Sequence, residues 1–209
     1  MNWLTDKIEF PPYHQTSKEG VIAFGGDLSE ERLIFAYKNG IFPWFSAGEP
    51  IVWYCPLERM VLFPEAFRIS KSMQKIMNKN DFEITENKVF KEVIYNCKNM
   101  VRNDGFGTWI TDAMEDAYLR LHEIGVAKSI EVWFQNELVG GLYGLEINNI
   151  FCGESMFSTY SNASKIAFIY LAKSAKYTLI DCQMYNAHLA SLGAKEIERS
   201  LFLKILKEK

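Results

Sequence analysis

The sequence predicts an α+β protein, with helices packed on a mostly antiparallel sheet and a small N-terminal domain attached. Three observations carry that prediction. Between residues 129 and 157, three apolar runs (SIEVWF, LVGGLYGL, IFCGESMF) are separated by the short polar turns QNE and EINN, the spacing of an antiparallel meander. A long helix, a short strand and another helix follow, an order that sets helices against a sheet. The first 60 residues are irregular in pattern and rich in Pro, Gly and aromatics (FPPYH, AFGGDL, NGIFPWF, GEPIVWYCP). A division into residues 1–62 and 63–209 is expected.

One helix is clear in the N-terminal segment. Ser29 is its cap, Leu33, Ala36 and Tyr37 keep helical spacing, and Gly40 occupies the position just past its end. In the IFPWF stretch that follows, Pro43 prevents continuation and holds Trp44 in an extended or turn segment. That aromatic cluster is either a hydrophobic plug or a stacking surface. Residues 68–79, RISKSMQKIMNK, divide on a helical wheel. Arg68, Lys71, Lys75 and Lys79 fall within an arc of roughly 80°, beside an apolar arc of Ile69, Met73, Ile76 and Met77. No carboxylate neutralises the basic arc, so it is either a solvated face or a contact for an anionic partner.

Thr111 opens the next helix (Met114, Ala117, Tyr118, Leu121, Ile124), which stops at Gly125. After the meander, helical spacing predicts about 16 residues of helix from Asn162, through Ile166, Phe168, Ile169, Leu171, Ala172 and Ala175. TLIDCQ then reads as a strand, and a short helix over 186–191 is stopped by Gly193. The terminal EIERSLFLKIL begins strand-like and ends amphipathic.

Composition narrows the function classes. With 209 residues, 48% of them hydrophobic, the chain can bury one large core or a main core with a smaller one. A net charge of −3 gives no global basic field, which leaves nucleic-acid binding to a local patch. Cys55, Cys97, Cys152 and Cys182 form no CxxC pair, and His14, His122 and His188 are scattered, so neither a zinc site nor a disulfide framework is expected. The cysteines read as buried hydrophobes in a reducing cytosol. The N-terminus has no basic region leading into an apolar run, and no apolar stretch reaches membrane-spanning length. A soluble cytoplasmic protein without membrane association is expected.

Two polar insertions interrupt otherwise core-like strands: Glu154 in IFCGESMF, and Asp181-Cys182-Gln183 closing TLIDCQ. An unpaired buried charge is costly, so Glu154 either faces water or lines a pocket. An Asp at a strand end is also an ordinary helix cap. Two carboxylates and an amide beside Phe, Met and Leu describe an apolar pocket whose polar rim can grip a cationic amine. Strict alternation puts Cys152, Glu154 and Met156 on one face and Phe151 on the other; a bulge near Gly153 would let Phe151 and Glu154 address one site. Ser155, in GESMF, lacks the second glycine of a nucleophile elbow, and there is no P-loop, HExxH or GxGxxG. GGLYG lies within a strand run and marks a close backbone approach.

The meander–helix–strand order resembles the acetyltransferase-like (GNAT-type) fold, and NAHLASLGA resembles one of its late segments. The loop FSTYSNASK has none of the glycines with which that fold binds a pyrophosphate, so coenzyme A lacks an evident seat. From about Val21 onward the sequence resembles the bacterial leucyl/phenylalanyl-tRNA–protein transferases. The matching stretches are AFGGDLSEERLIFAYKNGIFPWF, GTWI, LHEIGVAKSIEVW, LVGGLYG, FCGESMFS, NASK, LIDCQ and HLASLGAKEI.

The resemblance implies an aminoacyltransferase that moves Leu, Phe or Met from aminoacyl-tRNA to the α-amine of an N-terminal Arg or Lys, marking the acceptor for N-degron degradation. It implies a GNAT-like domain behind a small N-terminal one. Asp181, Gln183 and Glu154 would form the reacting centre, the first two deprotonating the amine with Gln183 as the bridge from Asp181, and Glu154 holding the acceptor's cationic end or supporting the network. Trp44, Trp109 and Asn186 would meet the 3′-terminal adenosine. Leu142, Phe151, Met156, Phe168, Leu171 and Ile180 would line the donor side-chain pocket, and the Arg68/Lys71/Lys75/Lys79 stripe would touch the tRNA backbone. An aminoacyl ester is already activated, so neither metal nor cofactor is expected, and the protein is expected to act as a monomer. Two other readings remain at this point: a coenzyme-A-dependent N-acetyltransferase, and a non-catalytic module binding RNA or peptide.

Overall fold

The computed structural model describes residues 2–100 and 109–208. The N-terminal segment contains β1 (Trp3–Leu4), β2 (Val21–Gly25), α1 (Glu30–Lys38), β3 (Phe42–Pro43) and β4 (Val52–Tyr54). Its strands form a four-stranded sheet in the order β1-β2-β4-β3. The irregular pattern therefore conceals a sheet, because strands of two to five residues are too short for alternation to show. Helix α1 is capped as expected, with Ser29 Oγ accepting from Arg32 N at 3.3 Å and Gly40 at φ +70°.

The rest of the chain runs β5 (Glu58–Leu62), α2 (Lys71–Asn78), β6 (Glu83–Glu86), α3 (Phe90–Asn99), α4 (Asp112–Glu123), β7 (Ala127–Phe134), β8 (Glu137–Ile147) and β9 (Ile150–Ser158). It closes with α5 (Ala163–Lys173), β10 (Leu179–Gln183), α6 (Ala187–Ser191), β11 (Lys195–Glu198) and α7 (Arg199–Lys207). Seven strands form one sheet, β11-β5-β10-β9-β8-β7-β6. Strand β5, which a division at 62/63 leaves with the N-terminal segment, lies inside this sheet. The β7–β9 meander is antiparallel, whereas β10 runs parallel to β9 and antiparallel to β5.

Two helices differ from expectation. α2 starts only at Lys71, with Ser70 Oγ accepting from Met73 N, so Arg68 precedes the helix and its N–H donates to Leu192 O at 2.9 Å. The helical stripe is thus Lys71 and Lys75, with Lys79 at the C-cap. α5 has 11 residues rather than the longer span expected, because the chain turns through Ala175 at φ +53°. Helix α3 has no capping side chain at Val89, which removed its sequence signal.

The sheet separates two cores. On one face Tyr143, Leu145, Cys152 and Phe157 pack against α1, α3, α4 and the N-terminal sheet. On the other, Leu142, Phe151 and Ile180 pack against α5 and Met73 of α2. No helix among the described residues is long and apolar enough to cross a membrane.

Candidate active site

Two bulges on neighbouring strands open the site. The β9–β10 ladder ends at the Asp181↔Cys152 pair, although β9 continues to Ser158. Beside that end, the β8–β9 register jumps from Gly144↔Gly153 to Tyr143↔Ser155, which leaves Glu154 as the extra residue. This is the bulge that the Phe151/Glu154 conflict called for. It explains how Phe151 and Met156, an odd number of residues apart, join the same core. On β10 the register to β5 jumps from Asp181↔Val61 to Gln183↔Met60, with Cys182 extra and Gln183 at φ +63°. The two strands part here around a cleft of about 380 Å³.

Glu154 lies on the floor of the cleft. Its Oε1 accepts from Tyr37 OH and from Gln183 Nε2, each at 2.7 Å, and its Oε2 accepts from Tyr118 OH at 3.1 Å. The two phenol oxygens are themselves 2.5 Å apart. These three contacts among the phenols and the carboxyl share only two phenolic protons when Glu154 is ionised; a neutral Glu154 supplies the third. One edge of the carboxyl meets the cleft, and protein packs round the rest. Burial pushes its pKa up to about 8, helped by the charge of Asp181 and opposed by hydrogen bonds from Tyr37, Tyr118 and Gln183. Burial likewise pushes both phenols well above their ordinary value.

Asp181 is placed differently from its expected role. It is fully buried, and its Oδ1 and Oδ2 accept from Arg59 Nε and Nη2, each at 2.7 Å. Oδ1 also accepts from the Gln183 backbone N–H at 2.9 Å. The Gln183 side chain turns to Glu154 and does not bridge to Asp181 through its amide. Asp181 borders the cleft together with Glu154 and Gln183, but its carboxylate is turned to Arg59 and has no exposed surface.

All six expected pocket residues, Leu142, Phe151, Met156, Phe168, Leu171 and Ile180, line the cleft, as do Trp44, Trp109 and Asn186. Trp44 keeps 44% of its surface exposed. Asn186 also caps α6, accepting from Leu189 N at 3.1 Å. Gly107 and Thr108 of GTWI lie outside the described residues. Arg68, Lys71, Lys75 and Lys79 do not line the cleft; all four are exposed around α2. The N-terminal amides of α5 are engaged by their own loop: Ala163 N donates to Tyr160 O at 3.1 Å and Ser164 N to Ser158 Oγ at 3.3 Å. That leaves a coenzyme A pyrophosphate without these donors. Among the described residues no cluster of three His, Cys, Asp or Glu side chains could hold a metal.

Tyr37, Tyr118 and Arg59 were not expected at the site. The tyrosines lie on the apolar faces of α1 and α4, where they read as core. Arg59 follows Glu58 at the start of β5, ahead of the apolar Met60–Leu62, where a charge breaks no pattern.

An apolar pocket, two tryptophans and a proton-sharing carboxyl thus meet in one sheet cleft. The description "Leucyl/phenylalanyl-tRNA protein transferase" matches residues 61–207, and that family's N-terminal domain matches residues 26–57. Proteins named leucyl/phenylalanyl-tRNA–protein transferase are 54% identical in Flavobacterium psychrophilum and 56% identical in Flavobacterium johnsoniae, in each case over 100% of both chains. The chain belongs to the leucyl/phenylalanyl-tRNA protein transferase family, and is an aminoacyltransferase. Among solved structures, that of FemX superposes with a TM-score of 0.48 at 11% identity, covering 85% of this chain and 71% of its own.

Proposed function

We propose that the cleft transfers Leu, Phe or Met from the 3′ end of a charged tRNA to the α-amine of a protein beginning with Arg or Lys. The observation that carries this reading is the position of Glu154, on the floor between an apolar pocket and two tryptophans. The donor side chain occupies the space lined by Leu142, Phe151, Met156, Phe168, Leu171 and Ile180. Stacking of the terminal adenine on Trp44 or Trp109 contributes about 1–3 kcal/mol, and Asn186 lines the same cleft.

In the reaction the acceptor nitrogen attacks the ester carbonyl and a C–N bond forms. Glu154 takes the proton that the nitrogen loses. Collapse of the tetrahedral intermediate breaks the carbon–oxygen bond to the ribose, and the leaving oxygen receives the proton. Atoms and charges balance without a cofactor. A carboxyl titrating near 8 is matched to an α-amine of pKa about 7.7–8.0, the condition under which proton exchange is most effective. Gln183 orients Glu154 through the 2.7 Å contact.

Residues 58–209 are read as a GNAT-like unit in which the donor's cofactor seat is closed, with residues 1–57 as the smaller domain; the two family matches divide the chain near the same point. A monomer is read as the working unit. With charged tRNA as donor, the reaction is read as a cytoplasmic one.

The test is transfer of labelled Leu or Phe from tRNA to a peptide beginning with Arg. Transfer is expected; intact charged tRNA with an unmodified peptide rejects the reading. Lys71, Lys75 and Lys79 are read as contacts to the acceptor-stem backbone, with Arg68 beside them. Lys71→Glu/Lys75→Glu is then expected to weaken tRNA binding and to reduce the salt slope by about one unit per lost phosphate contact. An unchanged slope returns the lysines to a solvated face.

A further inference from the structure

Arg59 lies on β5, on the far side of β10 from Glu154, and touches neither the apolar pocket nor the tryptophans. Its guanidinium is held between two rings, 4.5 Å from the centroid of Phe42 and 4.8 Å from that of Phe202. It is 2% exposed, and both donors of its fork are spent on the fully buried Asp181. Asp181 in turn accepts from the backbone of Gln183, whose φ of +63° is one that a non-glycine residue keeps only where its surroundings hold it. The side chain of that same residue meets Glu154.

We infer that Arg59 is a positioning residue for the transfer reaction: by clamping Asp181 it holds the bulged end of β10, and so sets the Gln183 amide against Glu154. The inference rests on the reading of Glu154 as proton acceptor. The clamp has an electrostatic side as well. The groups facing Glu154 are Tyr37 from α1, Tyr118 from α4, Asp181 and Gln183 from β10, and Cys152 from its own strand. Among them Asp181 is the one held in an ion pair, with Arg59 as its partner. Without Arg59, the uncompensated carboxylate opposes ionisation of Glu154 more strongly.

The experiment measures kcat and KM against pH for Arg59→Lys, Arg59→Gln and Arg59→Gln/Asp181→Asn, with Phe-tRNA and a peptide beginning with Arg. Lysine keeps the charge and loses the fork. Arg59→Lys is expected to lower kcat on the order of a hundredfold, as an ångström of displacement does, with the KM for tRNA unchanged and the acid limb of the profile in place. Arg59→Gln is expected to move that limb to higher pH, which a role in folding alone does not do. The double variant removes both buried charges, keeps the protein folded where the single variant fails, and is expected to return the limb while kcat stays low. A wild-type kcat in Arg59→Lys or in the double variant overturns the inference. A wild-type profile with no acid limb overturns the reading of Glu154 first, and the inference falls with it.

Discussion

Glu154→Gln is expected to slow transfer by about 10²–10⁴-fold and, above pH 8, to make the protein more stable than the wild type. Both effects have one cause. The wild-type carboxyl titrates near 8 in the folded chain against an ordinary value of 4.5. Between those two values the native state holds a proton that the unfolded state has lost. The bound-proton difference, unfolded minus native, is therefore negative, and stability falls as pH rises, by about 1.4 kcal/mol per unit from this group. Its contribution is fully present below 4.5 and is lost as pH passes through about 8. Glutamine has no such proton to lose, so the variant lacks this slope. The activity profile carries the same titration: wild-type kcat/KM rises with pH and levels above about 8, while the variant keeps only the shallower part of that rise that comes from the acceptor amine, which itself titrates at about 7.7–8.0. Urea titrations on both sides of pH 8, with initial rates over the same range, check both halves. Identical pH slopes of stability in the two proteins would remove the raised titration from the account.

The anomaly that marks Glu154 was legible because it breaks a pattern. A carboxylate among Ile150, Phe151, Cys152, Met156 and Phe157 conflicts with burial, and the odd spacing of Phe151 and Met156 conflicts with alternation. A bulge resolves both conflicts, and the register supplies it at Glu154. The helix of Thr111 and Gly125 and the meander were legible for the same reason, since cap, period and turn all agree there. The partners of Glu154 were not. Tyr37 and Tyr118 satisfy helical periodicity as apolar residues, and only their convergence across 81 positions turns two core rings into a proton-sharing pair. The pairing of Arg59 with Asp181 spans 122 positions, and no local rule joins them. Short strands in the N-terminal segment escaped because two to five residues are too few to show a period. The Lys71/Lys75 stripe was legible as a stripe, while its Arg68 end was lost to a cap at Ser70 that stops the helix short of it.

Asp181→Asn is expected to destabilise the fold by about 3–5 kcal/mol, the range for breaking one side of a buried ion pair, as well as to slow transfer. Asn has the shape of Asp, so packing is conserved and the effect is electrostatic. It turns one acceptor of the bidentate pair into an N–H that points at a guanidinium donor, and it removes the charge opposite Arg59. Arg59 is 2% exposed and its Nη1 already lacks a hydrogen-bond partner among the described residues, so water cannot replace what is lost. If Asp181 took the acceptor's proton directly, the same substitution would abolish transfer whether or not Arg59 is present to oppose it. The two roles are separated by a double-mutant cycle. Most of the cost of breaking one side of a buried pair is the uncompensated charge left behind, so Arg59→Gln/Asp181→Asn, which leaves none, is expected to regain most of what Asp181→Asn loses. Activity is not expected to return with it, because the fork that fixes the end of β10 is gone. Recovery of stability and activity together would reduce the pair to a structural clamp with no hold on Gln183. Failure to recover stability would mean that the loss in Asp181→Asn comes from the Gln183 backbone contact and not from Arg59.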